Sequence, residues 1–178
     1  HEPSRRQRQM CIRDSLGINS PIEDGATFYE NALIKAKHAA TISGYPAIAD
    51  DSGLCVDFLN GAPGIKSARY AGENSSDAEN NLKLLESLEN ETQRNAAFVA
   101  CLVFFDPNSN ESPLSAEGRL EGEIASDSKG KNGFGYDPIF YISEENKTLA
   151  ELGKGYKNKN SHRAKAIKIL LNKLLKEK

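Results

Sequence analysis
From Leu16 onward the apolar positions switch between helical spacing and short extended runs. Helical spacing marks helices with one buried face, and the extended runs mark strands. Thr27-Phe28-Tyr29-Glu30 has the form of a capping box, in which the first and fourth side chains bond each other's backbone amides. It predicts a helix to about Ala40 with Phe28, Ala32, Ala36 and Ala39 along one face, stopped by Ser43-Gly44. Residues 46–51 read as a buried strand, Ser52-Gly53 as a turn, and Leu54-Cys55-Val56 as a short continuation. Gly61-Ala62-Pro63-Gly64 is a loop. A second capping box, Ser76-Asp77-Ala78-Glu79, opens a helix with Leu82, Leu85 and Leu88 inward. Residues 96–105, rich in Val and Phe, form the strongest predicted strand, and a strand over about 114–124 returns antiparallel to it. Ile139-Phe140-Tyr141 is another strand, and Thr148–Leu152 gives one or two helical turns. The last helix spans Ser161–Lys176, with Ala164, Ile167, Leu171 and Leu174 as its stripe. This order predicts an α/β or α+β domain over residues 16–178 with a mixed sheet. Residues 1–15 are polar and basic without periodicity, and read as a disordered or foreign segment or a native tail.

Composition narrows the class. The chain has 178 residues and a formal charge of −2. That charge gives no reason to expect a polymeric nucleic acid or a membrane surface as partner. No apolar stretch is long enough to span a bilayer. Cys11, Cys55 and Cys101 are an odd set with neither zinc nor redox spacing. They read as reduced cysteines, which predicts a cytoplasmic location.

Four places carry candidate chemistry. Asp50 and Asp51 close an apolar run, where a strand would deliver carboxylates to the rim of a pocket. Turn formation alone explains acids before Ser52-Gly53, but ligands gather at strand carboxyl ends in α/β sheets. Side chains alternate along a strand, so one acid of the pair faces a given site. Mg²⁺, a hard cation, would offset the cost of a carboxylate beside the core. Glu30 either closes its capping box alone or joins Asp51 as a second oxygen ligand. The run from Gly130 to Asp137 lacks both common phosphate-loop patterns and is a plain loop on glycine content. Its aromatic pair, Phe134 and Tyr136 between glycines, suits a flat base lying on the backbone. Finally, Ser161 reads as an N-cap, which puts His162 and Arg163 in a first turn where cations oppose the helix dipole. With Lys157 upstream, an anion or carbonyl seated there would turn that penalty into a gain.

Several motifs then fall into one order: Thr27-Phe28-Tyr29-Glu30-Asn31-Ala32, Ala49-Asp50-Asp51-Ser52-Gly53-Leu54, and Gly61-Ala62-Pro63-Gly64 with Ser67-Ala68-Arg69-Tyr70. Gly133-Phe134-Gly135-Tyr136-Asp137-Pro138 and Ser161-His162-Arg163 complete them. Together they resemble the inosine triphosphate pyrophosphatase family. The resemblance implies an elongated mixed sheet flanked by helices, a homodimer, and Mg²⁺-dependent hydrolysis of deaminated purine nucleoside triphosphates to monophosphate and pyrophosphate. It implies Asp51 as general base and metal ligand, Glu30 as the other metal carboxylate, and Asp50 as a supporting acid. Ser52 would touch the substrate. Phe134, Gly135, Tyr136 and Asp137 would frame the base, with Phe134 stacking, and Lys157, His162 and Arg163 would read it. The family also opens with a strand and a Ser/Thr-x-Asn-x-x-Lys loop that grips the triphosphate. Residues 1–15 carry no such motif, so a truncated chain is expected. The alternatives are a catalytically impaired nucleotide-binding remnant and a related pyrophosphatase of modified pyrimidine nucleotides.

Overall fold
The computed structural model describes residues 17–176. The expectations for residues 1–15 lie outside them. Five strands form one sheet in chain order: β1 (Ala47–Val56), β2 (Asn95–Phe105), β3 (Leu114–Ile124), β4 (Phe140–Ile142) and β5 (Lys147–Thr148). The α/β class is as the pattern predicts, and each of the pairings between these strands is antiparallel. Four α-helices accompany the sheet among the described residues: α1 (Phe28–Ser43), α2 (Asp77–Ser87), α3 (Leu149–Asn160) and α4 (His162–Lys176).

Both predicted capping boxes form. Thr27 and Glu30 bond each other's amides at the start of α1, and Ser76 and Glu79 do so at α2. A third, Thr148 with Glu151, extends the short predicted turn into α3, whose course breaks at Gly153. The helix stripes differ from expectation by a residue or two. In α1, Ala40 rather than Ala39 is fully buried; in α2, Leu84 replaces Leu82, which is 58% exposed. In α4, Ala166 and Leu170 are buried while Ile167 and Leu171 are exposed. With apolar residues on two adjoining stripes, spacing alone does not tell which one the sheet covers.

β2 is buried along almost its whole length because both its faces are covered. On one, Ala100 and Leu102 meet Ala166 and Leu170 of α4; on the other, Cys101 and Val103 meet Ala32 and Ala36 of α1. Phe98 belongs to the largest cluster, with Leu54, Leu84, Leu120, Tyr136 and Phe140. Cys101 is buried and Cys55 half-buried, both as free thiols. Burial pushes the Cys101 thiol up to about 11.

Ser52-Gly53 is not a turn. β1 runs through it unbroken, pairing Ser52 with Ala100 and Gly53 with Val99. Gly53 answers a packing demand instead. A Cβ there would lie 2.2 Å from Gly64 O and 2.5 Å from Ser67 Oγ, so the segment Gly64–Arg69 presses directly on the strand. The opening of β1 is also less buried than expected, with Ile48 at 55% exposure.

Candidate active site
Among the described residues β1 borders the sheet, and it carries its acids on opposite faces. Asp51 faces α1. Lys35 Nζ donates to Asp51 Oδ1 at 2.8 Å, and Asn31 Nδ2 donates to Oδ2 at 3.4 Å. The same ammonium donates to Glu23 Oε2 at 3.1 Å. Burial raises the Asp51 pKa above 3.8, against the opposing pull of Lys35. The lysine therefore does not fully repay the carboxylate for its lost water, which leaves it a strong acceptor for further positive charge.

Glu30 lies at the start of α1, one residue before the Asn31 that donates to Asp51. Glu30 Oε2 accepts from the amides of Ala26 at 2.6 Å and Thr27 at 3.1 Å, so that oxygen closes the capping box at an exposed position. Glu23 is the acid linked to Asp51, through Lys35. Sequence reasoning missed both Glu23 and Lys35. Glu23 precedes the helix in an irregular stretch, and the only sequence signal for Lys35 is a lysine in a helix facing Asp51's strand. Among the described residues, no group of three or more His, Cys, Asp or Glu is arranged to hold a metal. Mg²⁺ commonly takes one or two carboxylates and completes its shell with phosphate and water, so Asp51 with one nearby glutamate is a chemically sufficient donor set for it.

The second acid, Asp50, faces α4. Arg163 Nε donates to Asp50 Oδ2 at 2.6 Å, and Arg163 Nη2 donates to Ser52 Oγ at 3.1 Å. A guanidinium has five N–H groups; its side chain is 36% exposed here. Ser161 caps α4 as predicted, accepting from Ala164 N at 3.2 Å. The expected clash of two cations with the helix dipole does not arise. Burial, then Arg163 and Lys157, drives the His162 pKa down to about 3, so the imidazole is neutral. Arg163 has its own counter-ion in Asp50. The His162 ring stacks on Phe98 at 5.1 Å with its Nδ1 buried and without a hydrogen-bond partner.

A stability prediction follows for His162. Its folded pKa is depressed below 6.5, so the unfolded chain binds the extra proton between about 3 and 6.5. Stability from this group is complete above 6.5 and falls as pH falls through that window, with a slope of up to ~1.4 kcal/mol per pH unit. Urea midpoints from pH 7 to pH 4 are expected to fall in the parent protein and to fall less steeply in His162→Gln. Parallel curves would show that His162 is not buried in its neutral form.

The glycine-rich loop splits into working and supporting parts. Phe134 is 37% exposed, with Lys157 Nζ lying 4.3 Å from its ring centre. Asp137 is buried, and its Oδ2 accepts from Phe134 N at 2.9 Å and from Lys157 Nζ at 2.5 Å. Gly133 is needed because a Cβ there would meet Asp137 Oδ2 at 2.0 Å. Tyr136 does not offer its ring to a ligand. It is 2% exposed in the main cluster, and its hydroxyl donates to Ser67 O at 2.9 Å.

The predicted residues thus form two groups. Phe134, Lys157, His162, Arg163, Asp50 and Ser52 gather on the α4 side, and Asp51 stands on the α1 side with Lys35 and Glu23. A cleft of about 350 Å³ between β1 and α4 is walled by Ile48, Leu102, Ile167 and Leu171, with Asp50 and Arg163 as its charged members. It does not reach Asp51. Among the described residues the two groups lie on opposite faces of β1.

A border strand with a lysine-clamped carboxylate on one face and an arginine–carboxylate pair beside an exposed aromatic on the other defines an α/β protein equipped for an anionic ligand with a flat head. The profile of the Ham1 family matches residues 5–173. The chain belongs to the Ham1 family. It is 52% identical over 168 residues to a dITP/XTP pyrophosphatase of Haemophilus influenzae, covering 93% of this chain and 86% of that protein. It is 50% identical over 167 residues to a dITP/XTP pyrophosphatase of Escherichia coli O157:H7, with 93% and 85% covered. Among solved structures, the Staphylococcus aureus Ham1 protein superposes with a TM-score of 0.87 at 47% identity, covering 94% of this chain and 86% of that one. A Ham1 protein from Coxiella burnetii gives 0.86 at 42% identity, with 100% and 96% covered.

Proposed function
We propose that this protein hydrolyses deaminated purine nucleoside triphosphates, such as dITP, ITP and XTP, to the monophosphate and pyrophosphate. The observation that carries the reading is the pairing of opposite equipment across β1: Asp51, Lys35 and Glu23 on one face, Arg163, Lys157 and Phe134 on the other. Relatives about half identical over nearly the whole chain are dITP/XTP pyrophosphatases. A nucleotide would cross the strand border with its phosphates on the Asp51 side and its base on the Arg163 side.

Asp51 is the general base in this reading. A water oxygen attacks the α-phosphorus, its proton passes to Asp51, the α–β anhydride bond breaks, and the electron pair leaves with pyrophosphate. Such displacements depend on charge neutralisation and in-line placement more than on covalent help. Lys35 supplies a fixed positive charge at the carboxylate, and Asn31 orients its second oxygen. Asp51 and Glu23 would hold Mg²⁺, which when bound neutralises phosphate charge. On the far face, Phe134 stacks on the base. Arg163 is a donor only, so a 6-keto oxygen suits it and a 6-amino group leaves it unpaired. The reading includes a homodimer in the cytoplasm acting on free nucleotides. The charge of −2 gives no reason to expect a polymeric nucleic acid as partner, and no helix of the described residues is long and apolar enough to cross a membrane.

The test is turnover with dITP, dATP and a methylated dTTP analogue in the presence of Mg²⁺, following pyrophosphate. The expected preference for dITP is ~10²-fold or more. Nucleotide binding without pyrophosphate release would favour a remnant, and equal rates on all three would remove Arg163 as the reader of the base. A second comparison separates the two glutamates. Glu23→Gln is expected to raise the Mg²⁺ concentration needed for half-maximal rate by about tenfold or more. Glu30→Gln should leave that concentration unchanged and cost only about 1 kcal/mol of stability through the cap. The reverse ranking would make Glu30, and not Glu23, the metal carboxylate beside Asp51.

A further inference from the structure
Gly135 is held through both of its backbone polar groups by one helix. Its N–H donates to Asp77 Oδ2 at 2.6 Å, and its carbonyl accepts from Asn81 Nδ2 at 3.1 Å. Asp77 and Asn81 lie one turn apart on α2, so they share a face. That helix is itself fixed by the Ser76–Glu79 capping box and by Leu84 and Leu88 in the core. On the other side of Phe134, Asp137 holds the Phe134 amide. The aromatic residue thus stands between two anchors, flanked by Gly133 and Gly135 at φ of 84° and 62°. Glycines at positive φ leave an unanchored loop many conformations.

Asn81 gains little for the helix. Its amide oxygen is buried without a hydrogen-bond partner, which carries a desolvation cost. Asn is also a weaker helix former than Ala or Leu. The bond to Gly135 is what its side chain gives in return.

We infer that Asp77 and Asn81 are positioning residues for Phe134: by clamping Gly135 they fix where the ring lies, and so set the affinity for the base. This rests on the reading that Phe134 stacks on the base. In this inference both act through the Gly135 backbone and not on the substrate itself.

The experiment measures the dissociation constant of dIMP by calorimetry, with inorganic tripolyphosphate inhibition of dITP turnover as the base-free probe. The proteins are the parent, Asp77→Ala, Asn81→Ala, Phe134→Ala and the two double variants that combine each clamp change with Phe134→Ala. Each clamp variant is expected to weaken dIMP by about fivefold and to leave tripolyphosphate inhibition unchanged. Asp77→Asn keeps an acceptor for the Gly135 amide and should restore affinity. In the Phe134→Ala background the clamp variants should have no further effect, because coupled residues are not additive. Asn81→Ala places a stronger helix former at a helix position, so it keeps the fold even if Asp77→Ala does not. Unchanged dIMP affinity, equal losses in the Phe134→Ala background, or a matching loss for tripolyphosphate would each overturn the inference. The stacking reading fails separately: there, Phe134→Ala itself leaves dIMP binding unaltered, and the inference falls with it. If Phe134→Ala weakens dIMP while both clamp variants are silent, only the inference falls.

Discussion
Asp51→Asn is expected to lower dITP turnover by ~10³-fold while leaving the melting temperature unchanged or slightly raised. The first half follows from the proposed role of Asp51 as the group that takes the water's proton. The second follows from the direction of the Asp51 pKa. Burial raises it above 3.8 in spite of Lys35, so the ionised form is less comfortable in the fold than in water. At neutral pH that ionised carboxylate subtracts from stability, and a neutral amide of the same shape relieves the strain. Lys35 keeps Glu23 as a partner at 3.1 Å, so its ammonium is not stranded. Steady-state kinetics and thermal melts on the same preparation check both halves. Turnover within tenfold of the parent would dismiss Asp51 as base, and a sharp drop in melting temperature would mark it as a structural ion-pair residue.

Gly118→Ala should cost about 3 kcal/mol of stability and weaken dIMP binding as well. Gly118 lies in β3 opposite Ala100, directly beneath the start of α4. An added Cβ would stand 2.1 Å from His162 O and 2.5 Å from Ala166 N. Both are backbone atoms, so no rotamer change makes room and the helix must lift. That helix start carries His162 and Arg163, and the Arg163–Asp50 bond at 2.6 Å would stretch with it. Urea unfolding reads the first effect and calorimetry with dIMP the second. Unchanged stability would mean that α4 does not seat on this glycine. A less stable protein with parental dIMP affinity would mean that the helix start plays no part in holding the base.

The glycines show how much was legible beforehand. Gly53 reads as half of a turn by its neighbours, yet it marks a place where another backbone presses on a strand. Gly118 carries no local signal at all. Both are contacts between segments distant in sequence, and no spacing rule reports them. The capping boxes lie at the other extreme. Thr27–Glu30 and Ser76–Glu79 are closed by residues three apart, so their formation depends on almost nothing else. Tyr136 and Phe134 are alike in sequence, both aromatic and next to glycine, but one enters the core and the other meets Lys157.

The family motifs, the helix starts and the long strands β2 and β3 were determined by the sequence alone, and Asp50, Asp51 and Arg163 were singled out by it as candidates, since these rest on local hydrogen bonds, side-chain period and motif order. Only the tertiary structure decided that Lys35 links Glu23 to Asp51, that His162 is neutral, and which stripe of each helix is covered. The reason is physical: a carboxylate's partner, a buried ring's charge and a helix's inner face are set by what other segments bring within a few ångströms, and by the water they exclude.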